Sequence, residues 1–214
     1  MDTIVRPCTA ADRPALRELL PRVGEGSPSG RLWGHPESEA DIYLFAYVDA
    51  DPESVLLAES GGRLVGYLAG DLGAGALPAE SVRMERAMRE HRLMTRPATW
   101  GFFARAAMDG LGGFIRRRPS AGELTDPRWP AHLHVNLVPE ARGTGAAEML
   151  MRGWFERLRE KGVPGCHLQT LVENGRAVRF FTRMGFRPHG PTPLVPGIRH
   201  DGRRLHQLTM VRET

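Results

Sequence analysis

The clearest pattern in the chain starts at residue 131. Leu133, Val135 and Leu137 alternate with His132, His134 and Asn136, which predicts a strand with one apolar face. Pro139 ends it, and a glycine-rich turn follows. Ala147, Leu150, Met151, Trp154, Phe155 and Leu158 then mark one face of an amphipathic helix that Lys161-Gly162 closes. His167 to Val172 predicts another strand. Asn174 opens a second helix with Ala177, Phe180, Phe181 and Met184 on its inner face, and Gly185 ends it. Phe186 begins a further strand, and Leu205 to Val211 supplies the last.

The first half is less regular. Ile4-Val5 predicts a strand, and Thr9 is an N-cap with Asp12 in the first turn of a helix carrying Ala15, Leu16, Leu19 and Leu20. Residues 24–38 predict a loop around Trp33, and 40–48 a short helix. Two apolar runs, 55–59 and 63–69, flank Ser60-Gly61-Gly62 and predict a β-hairpin. Residues 73–130 are the candidate insertion. Helices are expected at Ala79–Met94 and Thr99–Ile115, with substrate contacts or a subunit interface among the aromatics Trp100, Phe102, Phe103 and Trp129.

With 214 residues and 41% hydrophobic content, one α/β domain over 1–214 fits better than two small ones. No apolar run is long enough to span a bilayer, and the N-terminus does not read as a signal peptide. Two cysteines, Cys8 and Cys166, give neither a disulfide framework nor a metal cluster. The expectation is a cytoplasmic protein with no metal and no membrane partner. Lys161 is the only lysine, and the net charge of +4 is carried by arginine, a usage typical of GC-rich bacterial genomes. The arginines are dispersed apart from Arg116-Arg117-Arg118, so a solvated basic face is preferred to nucleic-acid binding.

A strand running through a glycine-rich turn into a helix makes an anion site, because the first helical turn carries unpaired N–H groups and partial positive charge. Arg142, Gly143, Thr144, Gly145, Ala146 and Ala147 supply such a turn with little side-chain bulk. The spacing fits neither a nucleotide-hydrolase P-loop nor a dinucleotide fingerprint.

These residues resemble a known family. Leu137-Val138-Pro139-Glu140-Ala141-Arg142-Gly143-Thr144-Gly145-Ala146 resembles the Val-x-Pro-x-x-Arg-Gly-x-Gly-x signature of the GNAT superfamily of N-acetyltransferases. The segment Asn174 to Phe186 is similar to that family's Asn-x-x-Ala-x-x-Phe-Tyr-x-x-x-Gly-Phe. The first strand and helix and the hairpin also match, so the likeness covers all but 73–130. Residues 129–134 look most like the acetyltransferase-type domains beside, or related to, O-GlcNAc hydrolases. The resemblance implies a mixed, splayed central β-sheet flanked by helices, with acetyl-CoA in the opening. Leu137 and Val138 would pair with the pantetheine arm, and the Val138 amide would polarise the thioester. Residues 142–147 would hold the pyrophosphate, and Asn174, Ala177 and Phe181 would line the cofactor on the second segment. The acceptor would be a small-molecule or protein amine, and members are often homodimers.

The sequence departs from the family where a tyrosine that protonates the departing thiolate is replaced by Phe181. An alternative is therefore a catalytically weak or silent acyl-CoA-binding module. The general base is open. His134 is the first choice and His132 the second, since an imidazole titrates near neutrality, and both otherwise read as packed or surface histidines.

Overall fold

Local signals decide how the chain begins. Strand β1 (Thr3–Pro7) leads to Thr9, whose N–H and hydroxyl both donate to Asp12 Oδ2 at 2.8 Å, before a single 3-10 turn (Ala10–Asp12) and helix α1 (Arg13–Val23). The structure, a computed structural model, describes residues 3–23 and 33–214. Most of the loop expected around Trp33 lies outside the described residues. Trp33 itself is buried and donates its indole N–H to Ser38 Oγ at 2.8 Å.

The short helix expected at 40–48 is part of a longer helical stretch. It runs through α2 (Pro36–Ala40), a π turn (Asp41–Phe45) and α3 (Ala46–Ala50). The hairpin forms as β2 (Val55–Ser60) and β3 (Arg63–Asp71), with Gly61 and Gly62 at φ 58° and 75°, the left-handed pair that a tight hairpin turn demands. The insertion folds as α4 (Glu80–Glu90) and α5 (Pro97–Ile115), close to the expected bounds. Then follow β4 (Ala131–Leu137), α6 (Ala146–Glu160), β5 (Gly165–Leu171), α7 (Gly175–Arg183), β6 (Arg187–His189), β7 (Leu194–His200) and β8 (Arg203–Glu213). Strand β7 has no counterpart among the expected elements. It contains Pro196 and Gly197, the latter at φ 79°, and its register against β8 shifts between Leu194 and Arg199, so no alternation marks it.

The strands form one mixed sheet in the order β1-β2-β3-β4-β5-β8-β6, with β7 paired to β8 off that path. The α/β fold class expected from the sequence is therefore observed. One face carries α6 and α7 over a core of Leu133, Leu150, Trp154, Phe155, Leu168 and Met210. The other carries α1 and α3 over Leu16, Leu19, Tyr47, Leu57, Tyr67 and Ala69. The insertion lies on this second side, where α4 packs on the π turn and α5 on β7.

Gly70 shows how tightly the first layer is fitted. It sits in β3 beneath fully buried Trp154, and a Cβ there would stand 2.3 Å from indole Cζ3. Gly70→Ala is expected to lower stability by about 1–3 kcal/mol through overpacking, read from the midpoint of urea unfolding. A midpoint unchanged by the substitution would show that α6 is free to ride up.

Candidate functional site

Strands β4 and β5 are parallel but pair only at Ala131↔Cys166 and His132↔His167. Beyond those two pairs they part, although β4 stays paired with β3 up to Leu137 and β5 with β8 up to Leu171. Val138 N–H donates to Val65 O at 2.9 Å, which fixes the parity of the β3–β4 ladder. In an antiparallel ladder, hydrogen-bonded and open pairs alternate. The backbone groups of His134, Asn136 and Val138 therefore point at β3, and those of Val135 and Leu137 point into the gap. This corrects the expectation for Val138. Its amide is already engaged, and the amide that faces the opening is Leu137's.

The loop after β4 lies at the open end of that gap. A 3-10 turn (Pro139–Ala141) closes with Ala141 N–H on Val138 O at 3.1 Å, and Thr144 Oγ1 donates to Ala141 O at 2.8 Å. Gly143 and Gly145 have φ 81° and 90°, and a Cβ on either would meet nothing within 4 Å. Backbone conformation rather than space demands glycine here. Gly145 is the N-cap of α6 and offers no side-chain acceptor, so the N–H groups of the first turn, Ala146 and Ala147 among them, have no side-chain cap. Because β4 and β5 are parallel, the start of α7 lies at the same end. There Asn174 Oδ1 caps the helix by accepting from Ala177 N at 3.2 Å. Phe181 is buried in the core against Phe180 and Phe186.

On the α1–α3 side, polar groups from several elements meet where the strands part. His132 Nδ1 is 2.9 Å from the Tyr47 hydroxyl, and its Nε2 is 2.7 Å from Gln169 Oε1 on β5. His134 lies two residues on, its ring 4.6 Å from that of His132 and edge-on to Tyr43 and Tyr47 at 5.3 and 5.5 Å. His167 is 5.0 Å from His132 and bonds through Nδ1 to Trp129 O at 2.7 Å. Asp71 and Glu123 join His132 and His167 around a small cavity. Buried Arg83 of α4 holds Ile42 O at 2.6 Å and Glu123 at 2.9 Å, and lies 5.1 Å over the Tyr47 ring.

These surroundings hold the histidines neutral. Burial lowers the pKa of His132, assisted by charge on His134 and His167. His134 falls to about 3, through burial first and then Arg83 and His167, and burial also lowers His167. Both ring nitrogens of His132 have partners within the fold, so the histidine chosen second from sequence has no free nitrogen to take up a proton in this arrangement. His134 is half-buried and meets no hydrogen-bond partner among the described residues. Sequence reasoning missed His167 and Gln169, although they repeat on β5 the polar alternation that flagged His132 and His134 on β4. It also missed Tyr43 and Tyr47, which were hidden in an apolar run.

A further histidine group lies apart from this chamber, with ligand atoms of His35, Glu37 and His91 within 4.8 Å of one another. His35 Nδ1 accepts from Ser38 N at 3.2 Å and His91 Nε2 meets Asp41 at 2.7 Å, so these rings serve as a helix cap and a polar bridge.

Neutral buried histidines have a consequence for stability. Between the unfolded pKa near 6.5 and the lower folded values, the unfolded chain takes up protons that the native chain refuses, so stability falls as pH falls. One such group contributes at most about 1.4 kcal/mol per pH unit in that window. The melting temperature is expected to drop from pH 7 to pH 5, and His134→Gln to shrink the drop. An equal drop in the variant would mean that His134 is not held neutral by the fold. The lowered carboxylates Asp51 and Asp109 titrate below this range and do not confound it.

The family model described as "Acetyltransferase (GNAT) family" matches residues 16–186. Solved structures share the fold. A ribosomal-protein-alanine N-acetyltransferase from Brucella melitensis is 20% identical with a TM-score of 0.57, over 99% of each chain. A putative acetyltransferase from Salmonella typhimurium, solved with its cofactor acetyl-CoA, is 15% identical with a TM-score of 0.59, over 100% of this chain and 94% of that one. An agmatine N-acetyltransferase mutant in its apo form is 18% identical with a TM-score of 0.61, over all of both chains. With its two signature segments at the open ends of β4 and β5, this chain belongs to the GNAT acetyltransferase family.

Proposed function

We propose that the protein transfers an acetyl group from acetyl-CoA to a primary amine by direct attack. The observation that carries this reading is the gap between β4 and β5, bordered by unpaired backbone on Val135 and Leu137 and leading to the N–H-lined turn at 142–147. Pantetheine would add to the bare edge of β4 as a strand does. The pyrophosphate would lie on the amides of Gly143 to Ala147, with Arg142 beside it, and Asn174 and Ala177 would border the arm across the gap. The Leu137 amide is the donor best aimed to polarise the thioester oxygen. Phe181 would act from the core, shaping the wall behind the arm.

The acceptor would enter from the α1–α3 side, past Tyr43, His134 and Asp71. Its nitrogen attacks the carbonyl carbon, the C–S bond breaks, and the thiolate leaves. The proton lost by the amine passes to His134 or water, and the thiolate is protonated from water. The Salmonella relative's cofactor and the agmatine and ribosomal-alanine names of the other two agree with such chemistry. The second reading, an acyl-CoA-binding module with little or no turnover, is favoured by Phe181, which lacks the hydroxyl that serves as acid elsewhere in the family.

Calorimetric titration with acetyl-CoA tests the cofactor assignment. Ala147→Asp places a carboxylate in the first turn of α6, where it favours the helix but repels a bound pyrophosphate, so affinity is expected to fall about tenfold or more with the fold intact. Gly145→Glu is a less clean probe, because φ 90° strains any side chain there. Absence of parent binding would sink the assignment.

A panel of amines with thiol detection then separates the two readings. Turnover that falls about a hundredfold in His134→Gln, with acetyl-CoA affinity unchanged, supports transfer with His134 as proton acceptor. Tight cofactor binding without thiol release from any amine supports the silent module.

A further inference from the structure

Helix α5 is firmly held on one side and bare on the other. Phe102 packs with Trp33 and Phe103, and Phe102 and Ala106 close on Gly197 of β7. Asp109 is buried, accepts from Gly197 N at 3.0 Å and pairs with Arg199 at 2.8 Å. Those contacts fix which face turns outward. That face carries Trp100, Met108, Leu111, Phe114 and Ile115, exposed by 57, 66, 62, 83 and 70%, with Ala104 and Ala107 between them. The positions follow the helical repeat, so the strip is continuous and about 22 Å long at 1.5 Å per residue. Large side chains this exposed in one row mark a docking surface, since a soluble chain ordinarily scatters them.

The charge around the strip says what covers it. Arg92 and Arg96 precede it, Arg105 lies on the same helix, and Arg116, Arg117 and Arg118 follow it, all exposed. From Arg92 to Arg118 the only acidic residue is Asp109, which is buried and neutralised by Arg199 and Arg204. An apolar ridge framed by arginines at both ends, with no exposed carboxylate of its own, complements a surface that is oily within and anionic without. A second copy of the chain fits poorly. Two-fold pairing sets Arg116–Arg118 against either the same run or Arg92 and Arg96 of the other copy, cation upon cation.

We propose that α5 and the arginines flanking it dock the protein on the surface of a bilayer containing acidic phospholipids, with Trp100, Leu111, Phe114 and Ile115 entering the headgroup boundary. No helix among the described residues is long and apolar enough to cross a membrane, so the association is peripheral. It stands apart from the acetyl-transfer reading and does not require it.

The test is sedimentation of the full chain with vesicles of phosphatidylcholine, alone or mixed with phosphatidylglycerol. Binding is expected only to the mixed vesicles. Trp100 should report it by a blue shift, because Trp33, Trp129 and Trp154 are already buried. Replacing Arg116, Arg117 and Arg118 together by Gln should weaken binding about a hundredfold, at about 1 kcal/mol per arginine. Leu111→Asp with Phe114→Asp, both at exposed positions and expected to leave the circular dichroism spectrum unchanged, should abolish it. The proposal is overturned if the parent ignores phosphatidylglycerol vesicles or if both variants bind as the parent does. It is equally overturned if light scattering finds a parent dimer that the double Asp variant dissolves and that leaves vesicles unbound.

Discussion

A parallel strand pair that stops after two residue pairs leaves main-chain donors and acceptors facing one another across a gap too wide to bond. Backbone groups shielded from water require partners, and those of Val135 and Leu137 find them neither in β3, which takes the opposite parity, nor in β5. Each strand is bound along its outer side, β4 to β3 and β5 to β8, so neither can swing across without breaking a complete ladder. Just past the last backbone pair, His132 Nε2 meets Gln169 Oε1 at 2.7 Å and continues the ladder for one more rung in side chains. The opening is therefore a property of the whole sheet.

The insertion sets the electrical character of the space beside that opening. In a π turn the carbonyls lose their regular i+4 partners, and here Ile42 O receives Arg83 Nη1 at 2.6 Å from α4. The same arginine reaches Glu123, which strands the guanidinium in a buried place near Tyr47. Its charge is one cause of the low His134 pKa, second only to burial. Removing 73–130 would thus change the chemistry of the chamber as well as its walls.

Most of the scaffold was legible because its signals are local. The capping pair Thr9 and Asp12, the Gly61-Gly62 turn, the alternation at 132–137 and the Asn174 cap each declare themselves within a few residues. What stayed hidden depends on register and pairing. Which amide of β4 faces the gap follows from Val138 N–H meeting Val65 O, a partner 73 residues away in the chain. That His132 is engaged at both nitrogens follows from Tyr47 and Gln169, and neither adjoins it in sequence. Strand β7 was missed because Pro196 and Gly197 break the alternation that would have revealed it.

The proton balance is the sharpest constraint on the proposed transfer. With its pKa lowered to about 3 by burial, His134 favours the neutral form at neutral pH, so in the proposed transfer a proton it accepted from an amine would pass on to water. The proposed transfer would thereby suit an acceptor that arrives already uncharged, or one whose ammonium meets Asp71 in the lining of the adjoining cavity. Nor does Phe181 offer a hydroxyl to the departing sulfur, and Tyr47, held neutral by burial, has its hydroxyl directed at His132. In the proposed transfer both ends would therefore draw on water at the point where β4 and β5 part.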